Sequence, residues 1–198
     1  GLLQPGEEAP AHQPQLLPGQ VKLKNINGDD KLNEEDMVLI GRNDPKFIFG
    51  FNNNFSYKNF DLNIYMYGQV GKIAGANSYY DAWGSYGNRI KLGQNVPVSF
   101  KDAWSSDNQT STRPSFIESA YGTGDLFLQK ISFLRIRNIT LGYTVPISKS
   151  ICNRLRVYAD INNPCVWTNW KGQDPETDSN TNAYPNVTSF SIGVDISF

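Results

Sequence analysis

The sequence predicts an all-β chain whose antiparallel, amphipathic strands are the last five or so strands of a large transmembrane β-barrel. The closing segment is the clearest evidence, because residues 188–198 alternate strictly between apolar and small or polar side chains. Its apolar positions are Phe190, Ile192, Val194, Ile196 and Phe198. An alternating strand that ends on a C-terminal phenylalanine is typical of the closing strand of a bacterial outer-membrane barrel. The connections also alternate between short and long, as periplasmic turns and extracellular loops do in such barrels.

The composition limits the classes of function that the chain can have. Its 198 residues carry 18 lysines and arginines against 19 aspartates and glutamates, and the net charge of −1 argues against a nucleic-acid partner. The single histidine, His12, leaves almost no material for histidine-based metal or triad chemistry. No stretch approaches the roughly 20 apolar residues of a membrane helix. The mean hydropathy of −0.46 is still compatible with a barrel, in which only alternate residues face lipid.

The first two strands are predicted as a hairpin. Residues 46–57 and 60–71 both alternate, and the two polar residues Lys58 and Asn59 between them suffice for a tight antiparallel turn. The apolar face of this hairpin carries large side chains: Phe47, Phe49, Phe51, Phe55, Tyr57, Phe60, Leu62, Ile64, Met66 and Val70.

Three further strands are predicted at residues 129–145, 154–162 and 188–198. In the first of them Phe133 and Leu134 are adjacent apolar residues, which indicates a β-bulge or a change of face near that point. The chain is thereby divided into an arm, residues 1–45, and a strand region, residues 46–198.

The connections set the expected orientation in a membrane. Residues 58–59 and 146–153 form short turns, whereas residues 72–126 and 163–187 form long loops. With the C-terminus in the periplasm, the long loops and the 1–45 arm are expected on the extracellular side.

The two cysteines, Cys152 and Cys165, are predicted to be free thiols. About ten strand residues separate them, which at ~3.3 Å per residue corresponds to roughly 30 Å. A disulfide requires Cα atoms within about 7 Å of each other. The pair is therefore too far apart to be bonded.

Five strands do not close a membrane barrel, for which about eight are needed. An open sheet in lipid has two unpaired edges, and each orphaned backbone group there costs several kcal/mol. Either the rest of the barrel is supplied from outside these residues, or the strands form a soluble β-sandwich, whose core the same apolar faces would suit. Alternation by itself leaves both hypotheses open.

Four segments in one order resemble the C-terminal part of SusC-like TonB-dependent outer-membrane transporters of the Bacteroidetes, the SusC/RagA family. They are Leu17–Asp29 with Ile40-Gly41, Pro45–Phe51 with Ser56–Leu62, Phe133–Pro146, and Gly172–Glu176 with Tyr184-Pro185 and Phe190–Phe198. Together they cover nearly everything from residue 17 onward. The chain departs from the family in extent, since the plug, the segment that contacts TonB and most strands are not in it.

The resemblance implies a plugged barrel in the bacterial outer membrane that imports glycans or peptides with energy passed on by TonB. Its implied partners are the remainder of the same barrel, outer-membrane lipid, a SusD-like surface lipoprotein that covers the extracellular mouth, and TonB through a part absent from this chain. No enzymatic activity and no required cofactor are expected. The alternative is a secreted, soluble β-sandwich that binds carbohydrate through exposed tryptophans.

One segment has the spacing of an EF-hand calcium loop, in which positions 1, 3, 5, 7, 9 and 12 supply ligands. Those positions are Asn25, Asn27, Asp29, Lys31 through its backbone carbonyl, Asn33 and Asp36. The segment departs from the pattern with Asn at position 1, Asp30 instead of glycine at position 6, and Asp instead of glutamate at position 12. A structural Ca²⁺ site is one expectation, and an Asx-rich turn held by its own hydrogen bonds is the other.

Aromatic side chains in the predicted extracellular loops are candidates for contact with substrate or with the lipoprotein partner. They are Tyr79, Tyr80, Trp83, Trp104, Trp167 and Trp170. Aromatic faces stack on sugar rings and anchor protein interfaces. The alternatives are packing within the loops and an aromatic girdle at the lipid interface. For the 72–126 loop, lipoprotein contact is favoured over direct substrate contact.

Charged residues in the strand region are predicted to avoid lipid. Arg135, Arg137 and Arg156 lie among strand residues, and an arginine that faced lipid near the membrane midplane would cost ~2–4 kcal/mol. We therefore expect them in the lumen or at the rim. The carboxylates Asp174 and Glu176 are interpreted as loop caps, since no nucleophile or second acid is placed near them.

Overall fold

The computed structural model divides into two compact units. They consist of Gly1–Gly41 with Gly75–Leu128, and of Arg42–Ala74 with Gln129–Phe198. The structure describes residues 1–75, 92–93, 95, 98–116, 124–126, 128–147, 152–172, 174–177 and 183–198. Within these ranges no helix has the length and apolar character needed to cross a membrane.

Five strands form one sheet, nearly all of it in the second unit. The strands are β1 (Phe47–Tyr57), β2 (Phe60–Gly75), β3 (Leu128–Val145), β4 (Arg154–Thr168) and β5 (Ser189–Ser197). They are hydrogen-bonded in the order β1-β2-β3-β4-β5, so every neighbour in sequence is a neighbour in space. The described residues contain no α-helix, only two short 3₁₀ turns at Glu34–Asp36 and Val98–Asp102. The predicted all-β class is confirmed.

The predicted hairpin between β1 and β2 is present. Tyr57 pairs with Phe60, and Lys58 takes a left-handed backbone conformation with a φ of 53° to reverse the chain in two residues. The strand β2 continues to Gly75, beyond the predicted end at residue 71.

A β-bulge shapes the β3–β4 pair. The register shifts between Ile136 and Asn138, where the β4 partners change from Cys165 to Asn162, and Asn163 has a φ of 49°. The irregularity predicted near Phe133 therefore occurs, slightly farther along the strand. Because β4 continues through this bulge, it ends at Thr168 instead of near residue 162.

The sheet has one apolar face and one polar face. The pairing aligns apolar residues in rows across β3, β4 and β5: Ile139 with Ile161 and Phe190, Leu141 with Ala159 and Ile192, and Tyr143 with Val157 and Val194. The residues between them are glycine or carry hydroxyl, amide or charged groups. This face of β5 is open, and Ile192 is 84% exposed.

The soluble β-sandwich hypothesis is not supported by this arrangement. It required Phe47, Phe49 and Phe51 to be buried against a facing sheet. Phe47 is 61% exposed and Phe51 is 54% exposed, and all five described strands lie in a single sheet. The apolar face thus has no second layer among the described residues.

The first unit has its own small core. Its buried apolar residues include Leu2, Leu3, Leu16, Val21, Phe100 and Ala103. The fully buried amide of Gln13 donates to the carbonyl of Val21 at 3.4 Å and accepts from the backbone N–H of Leu23 at 2.8 Å. The first 20 residues, which belong to the predicted 1–45 arm, are therefore folded around a core.

Candidate functional site

An ion cluster crosses the polar face of the sheet at the end nearest the β1–β2 turn. Arg156 on β4 donates to Asp61 on β2 through Nε at 3.0 Å and Nη2 at 2.6 Å. Its Nη1 donates to Asp195 on β5 at 3.0 Å. Gly142 on β3 lies beneath this bridge, and a Cβ there would be 2.5 Å from both Arg156 Nη2 and Asp61 Oδ1. The guanidinium of Arg156 thus connects β2, β4 and β5, because Gly142 on the intervening β3 has no side chain to obstruct it.

Amide and hydroxyl groups cover the same face farther along. Asp160 accepts hydrogen bonds from Asn138 at 2.5 Å, from Thr140 at 2.6 Å and from Asn162 at 2.7 Å. A second amide group lies on β1 and β2, where Asn63 donates to Asn52 at 2.7 Å and to Asn54 at 2.6 Å. Such a polar wall suits an aqueous lumen.

A second ion cluster lies near the other end of the β3–β4 pairing and contains Arg135, Arg137, Asp174 and Glu176. Arg135 and Asp174 are each 3% exposed, and Arg135 Nη2 lies 2.8 Å from Asp174 Oδ1. Glu176 lies between the two arginines, 2.9 Å from Arg135 Nε and 2.5 Å from Arg137 Nη2. All three predicted lumen or rim arginines therefore have carboxylate partners.

Asp174 is held in its charged form. Burial by itself raises the pKa of its carboxyl, but hydrogen bonds from the backbone N–H groups of Glu176 and Asn186, together with the charge of Arg135, outweigh burial. The net result is a pKa below the usual range. The predicted capping role is visible in the same bonds, at 2.9 Å from Glu176 and 3.0 Å from Asn186.

Sequence reasoning missed the pairing of these carboxylates with the arginines. A signal was present, since Arg135-x-Arg137 and Asp174-x-Glu176 have the same two-residue spacing. Two residues is the repeat of side chains on one face of a strand. Opposite charges at this spacing on two segments that meet at a sheet end can face each other and form ion pairs.

The candidate calcium loop is closed by hydrogen bonds of its own. Asn25 Oδ1 accepts from the backbone N–H of Gly28 at 2.6 Å, and Asp29 Oδ1 accepts from that of Lys31 at 2.9 Å. Asp36 Oδ1 accepts from the N–H of Ile26 at 2.7 Å. These bonds belong to the Asx-rich turn of the alternative hypothesis.

Hydrogen bonding also affects the acid at the end of this loop. The backbone N–H groups of Ile26 and Asn33, in that order of effect, lower the pKa of Asp36 below its ordinary value. Asn33 in turn caps the 3₁₀ turn by accepting from the N–H of Glu35 at 2.7 Å. No cluster of three or more His, Cys, Asp or Glu side chains suited to a metal ion occurs in the described parts of the chain. Calcium binding by the six predicted ligands stays a prediction.

The predicted aromatic contacts have different surroundings. Tyr79, Tyr80 and Trp83 lie outside the described residues. Trp104 is half-buried in the first unit against Gly19, where a φ of 83° and a Cβ position 2.2 Å from the indole leave room only for glycine. In the second unit Trp167 is 56% exposed and Trp170 is 6% exposed. Among these, Trp167 offers the most open aromatic surface.

The two cysteines lie apart in the second unit. Cys165 is part of β4 and pairs with Ile136, whereas Cys152 lies just before the other end of that strand. Both are free thiols, and Cys152 is buried.

Known proteins resemble the chain over most of its length, although no family model matches it. It is 28% identical over 201 residues to the TonB-dependent receptor P3 of Formosa agariphila, across 91% of this chain and 19% of that receptor. It is 26% identical over 180 residues to the TonB-dependent receptor SusC of Bacteroides thetaiotaomicron, across 87% of this chain and 17% of SusC. The chain therefore spans about one fifth of the length of the curated relatives it matches.

Solved structures show the same likeness in three dimensions. The chain superposes on part of the RagAB peptide transporter with a TM-score of 0.70 and 26% identity, covering 91% of this chain and 20% of that one. For the RagAB peptide importer in its 'closed-closed' state the TM-score is 0.69 at 26% identity, over 92% and 21% of the two chains.

The fold and the two unlike faces of its sheet define a stretch of barrel wall of the kind that TonB-dependent transporters contain. The relatives are receptors and transporters. More particularly, the resemblance to SusC and RagA that the four sequence segments carry is confirmed.

Proposed function

We propose that the chain is the C-terminal strand set of a TonB-dependent importer in the bacterial outer membrane. The observation that carries this proposal is the contrast between the faces of the sheet. One face is apolar and exposed along β5, and the other holds the Arg156 ion cluster and the amide groups around Asp160. Lipid on one side and an aqueous lumen on the other satisfy both faces at once.

The dimensions of the apolar face support a membrane location. The stripe from Phe190 to Phe198 lies on one side of β5 and the residue that follows it. Eight residue steps of ~3.3 Å, tilted by about 40°, correspond to a height of roughly 20 Å, close to the ~25 Å apolar band of outer-membrane barrels.

The remainder of the barrel is the first partner that the sheet requires. Within the described residues, β1 pairs only with β2 and β5 pairs only with β4, so each has one open edge. Unpaired backbone groups in lipid cost several kcal/mol each. Strands from the rest of the protein therefore pair with both edges in the assembled transporter.

The importer takes up oligomeric nutrients, peptides or glycans, with a SusD-like surface lipoprotein at its extracellular mouth. RagAB, a peptide importer, supports peptides as the cargo, and glycans are the alternative that the sequence resemblance implies. TonB supplies energy through a part outside this chain, and no catalytic role is proposed. Trp167 is the described aromatic residue proposed to contact cargo or lipoprotein, and a structural Ca²⁺ in the loop of residues 25–36 is a separate proposal.

Two measurements test the proposal. The isolated 198-residue chain should be insoluble without detergent, and a monodisperse, folded, detergent-free monomer would contradict a membrane barrel. Deletion of the full-length gene should abolish uptake of a labelled oligopeptide pool or a labelled glycan pool, and a proton uncoupler should have the same effect in the wild type. Which pool is affected identifies the cargo, and undiminished uptake of both pools would refute the importer.

A further inference from the structure

The described residues between β4 and β5 are 169–172, 174–177 and 183–188. We refer to these residues as the β4–β5 loop, which is attached to β3 at its beginning. Asn169 Oδ1 accepts from the backbone N–H of Ser132 at 2.8 Å, and its Nδ2 donates to the carbonyl of Lys130 at 2.7 Å. Immediately beyond it, the ring of Trp170 is buried. The chain thus leaves β4 along a fixed path.

The middle and the end of the β4–β5 loop are attached to the same strand through charge. Asp174 forms an ion pair with Arg135, and Glu176 forms ion pairs with both Arg135 and Arg137. Asn186 joins the end of the loop to both acids, since its backbone N–H donates to Asp174 at 3.0 Å and its Nδ2 donates to Glu176 at 2.8 Å. The loop is therefore attached to β3 at its beginning and in its middle, and Asn186 attaches its end to the two acids in the middle.

The type of bond used here is informative. Burying an ion costs several kcal/mol, and an apolar group of the same volume in place of a buried ion pair is often as stable or more so. The planar guanidinium of Arg135, in contrast, contacts two carboxylates only when both occupy one arrangement. The ion pairs of Arg135 therefore fix the geometry of the β4–β5 loop more than they stabilise the fold.

We propose that Arg135, Arg137, Asp174 and Glu176 form a latch that fixes the β4–β5 loop as a rigid part of the transporter's extracellular rim, and that cargo uptake depends on it. This inference rests on the proposed function. The four residues are positioning residues, because they act through the loop and not by touching cargo.

The latch predicts protection from protease at Lys171. This side chain is exposed, but its backbone lies between the buried Trp170 and the buried Asp174. Trypsin needs the backbone in a free, extended form, which a fixed loop does not supply. In isolated outer membranes that hold the full-length transporter, the fragment that begins at Gly172 should appear at least about tenfold faster in R135M and D174N than in the wild type.

Two further variants keep this test interpretable. D102N makes the same chemical change in an exposed ion pair of the first unit, 3.9 Å from Arg113, and should leave cleavage at Lys171 unchanged. If R135M does not assemble into a heat-modifiable folded barrel, E176Q is used instead, because it leaves the Arg135–Asp174 contact in place. Continued protection of Lys171 in the folded latch variants would overturn the latch.

Uptake of the labelled oligopeptide and glycan pools provides the second measurement. Latch variants with wild-type amounts of folded barrel should lose at least about fivefold in uptake. Cleavage at Lys171 together with wild-type uptake would overturn the positioning role. If the wild type itself imports neither pool while its Lys171 is protected and that of the variants is cleaved, the proposed function and the dependence of uptake on the latch fail, and only the fixing of the loop by the latch stands.

Discussion

Arg156 binds Asp61 by reaching across an intervening strand, with two hydrogen bonds of 3.0 and 2.6 Å that pass over Gly142. Side chains on strands that are two places apart are usually separated by the side chain between them. Here the glycine removes that obstacle. The ion cluster on the polar face therefore depends on a residue that takes no part in it.

The substitution G142A should destabilise the barrel by about 1–3 kcal/mol, because the new methyl group overlaps both charged partners. The matched control is G50A on β1, where the nearest atom to a Cβ is Tyr65 Oη at an ordinary 3.5 Å. Reversible urea unfolding of the full-length protein in lipid vesicles gives both values. Equal stability of the two variants would show that Arg156 moves aside without cost.

Truncation of the buried Trp170 should open the β4–β5 loop. Loss of a buried tryptophan side chain costs about 3–5 kcal/mol, whereas an exposed position changes stability by about 0.5 kcal/mol or less. W170A is therefore expected to raise hydrogen exchange in residues 169–172 and 174–177, and W167A is expected to leave it at the wild-type level. A comparable effect of the two variants would contradict the burial of Trp170.

The β4–β5 loop should loosen in acid. The folded-state pKa of Asp174 is lower than its unfolded value of about 3.9, so its contribution is complete above that pH and is lost as the pH falls through the folded pKa. Exchange rates corrected for intrinsic pH dependence should be flat from pH 8 to pH 5 and rise below about pH 4. D174N should exchange faster at every pH and lack this step, and a wild-type step at higher pH would implicate another group.

The loop of residues 25–36 should bind Ca²⁺ if its Asx-turn oxygens also serve as ligands. At a calcium concentration of 100 times Kd the folded protein gains about 2.7 kcal/mol, which EDTA should remove. Isothermal titration of the full-length protein with Ca²⁺ and a melting curve with and without EDTA measure this. The double variant D29A/D36A should abolish the heat of binding, and D30A is the control because position 6 supplies no ligand. If the wild type shows no heat of binding, the segment is an Asx-rich turn and not a Ca²⁺ site.

The strands were predictable because one apolar face imposes a two-residue period on the sequence. That signal fails where the period is interrupted, which is why β4 was expected to stop near residue 162. Asn163 adopts a left-handed conformation and shifts the register there, and the strand resumes after it. The core of the first unit was missed for a related reason, since Leu3 and Leu16 are both buried in it although no repeat marks them in the sequence.

The functional residues were harder to predict from sequence than the strands. The lumen or rim position of Arg135 follows from the cost of a charge in lipid, but its partner Asp174 lies 39 residues away. Such pairings depend on how a loop returns to a strand, and no local preference encodes them.

The contact between Arg156 and Asp195 sets the alignment of the last strand. Side chains alternate between the faces of a strand, so a slip of β5 by one residue along β4 would exchange its two sides. In the proposed barrel Asp195 would then enter hydrocarbon and leave Arg156, while Phe190 and Ile192 would enter water. During insertion β5 must find one alignment with β4 among several that have similar numbers of hydrogen bonds. A shift by one residue is unstable, because it places a charge in hydrocarbon and apolar side chains in water. These two costs select the native pairing.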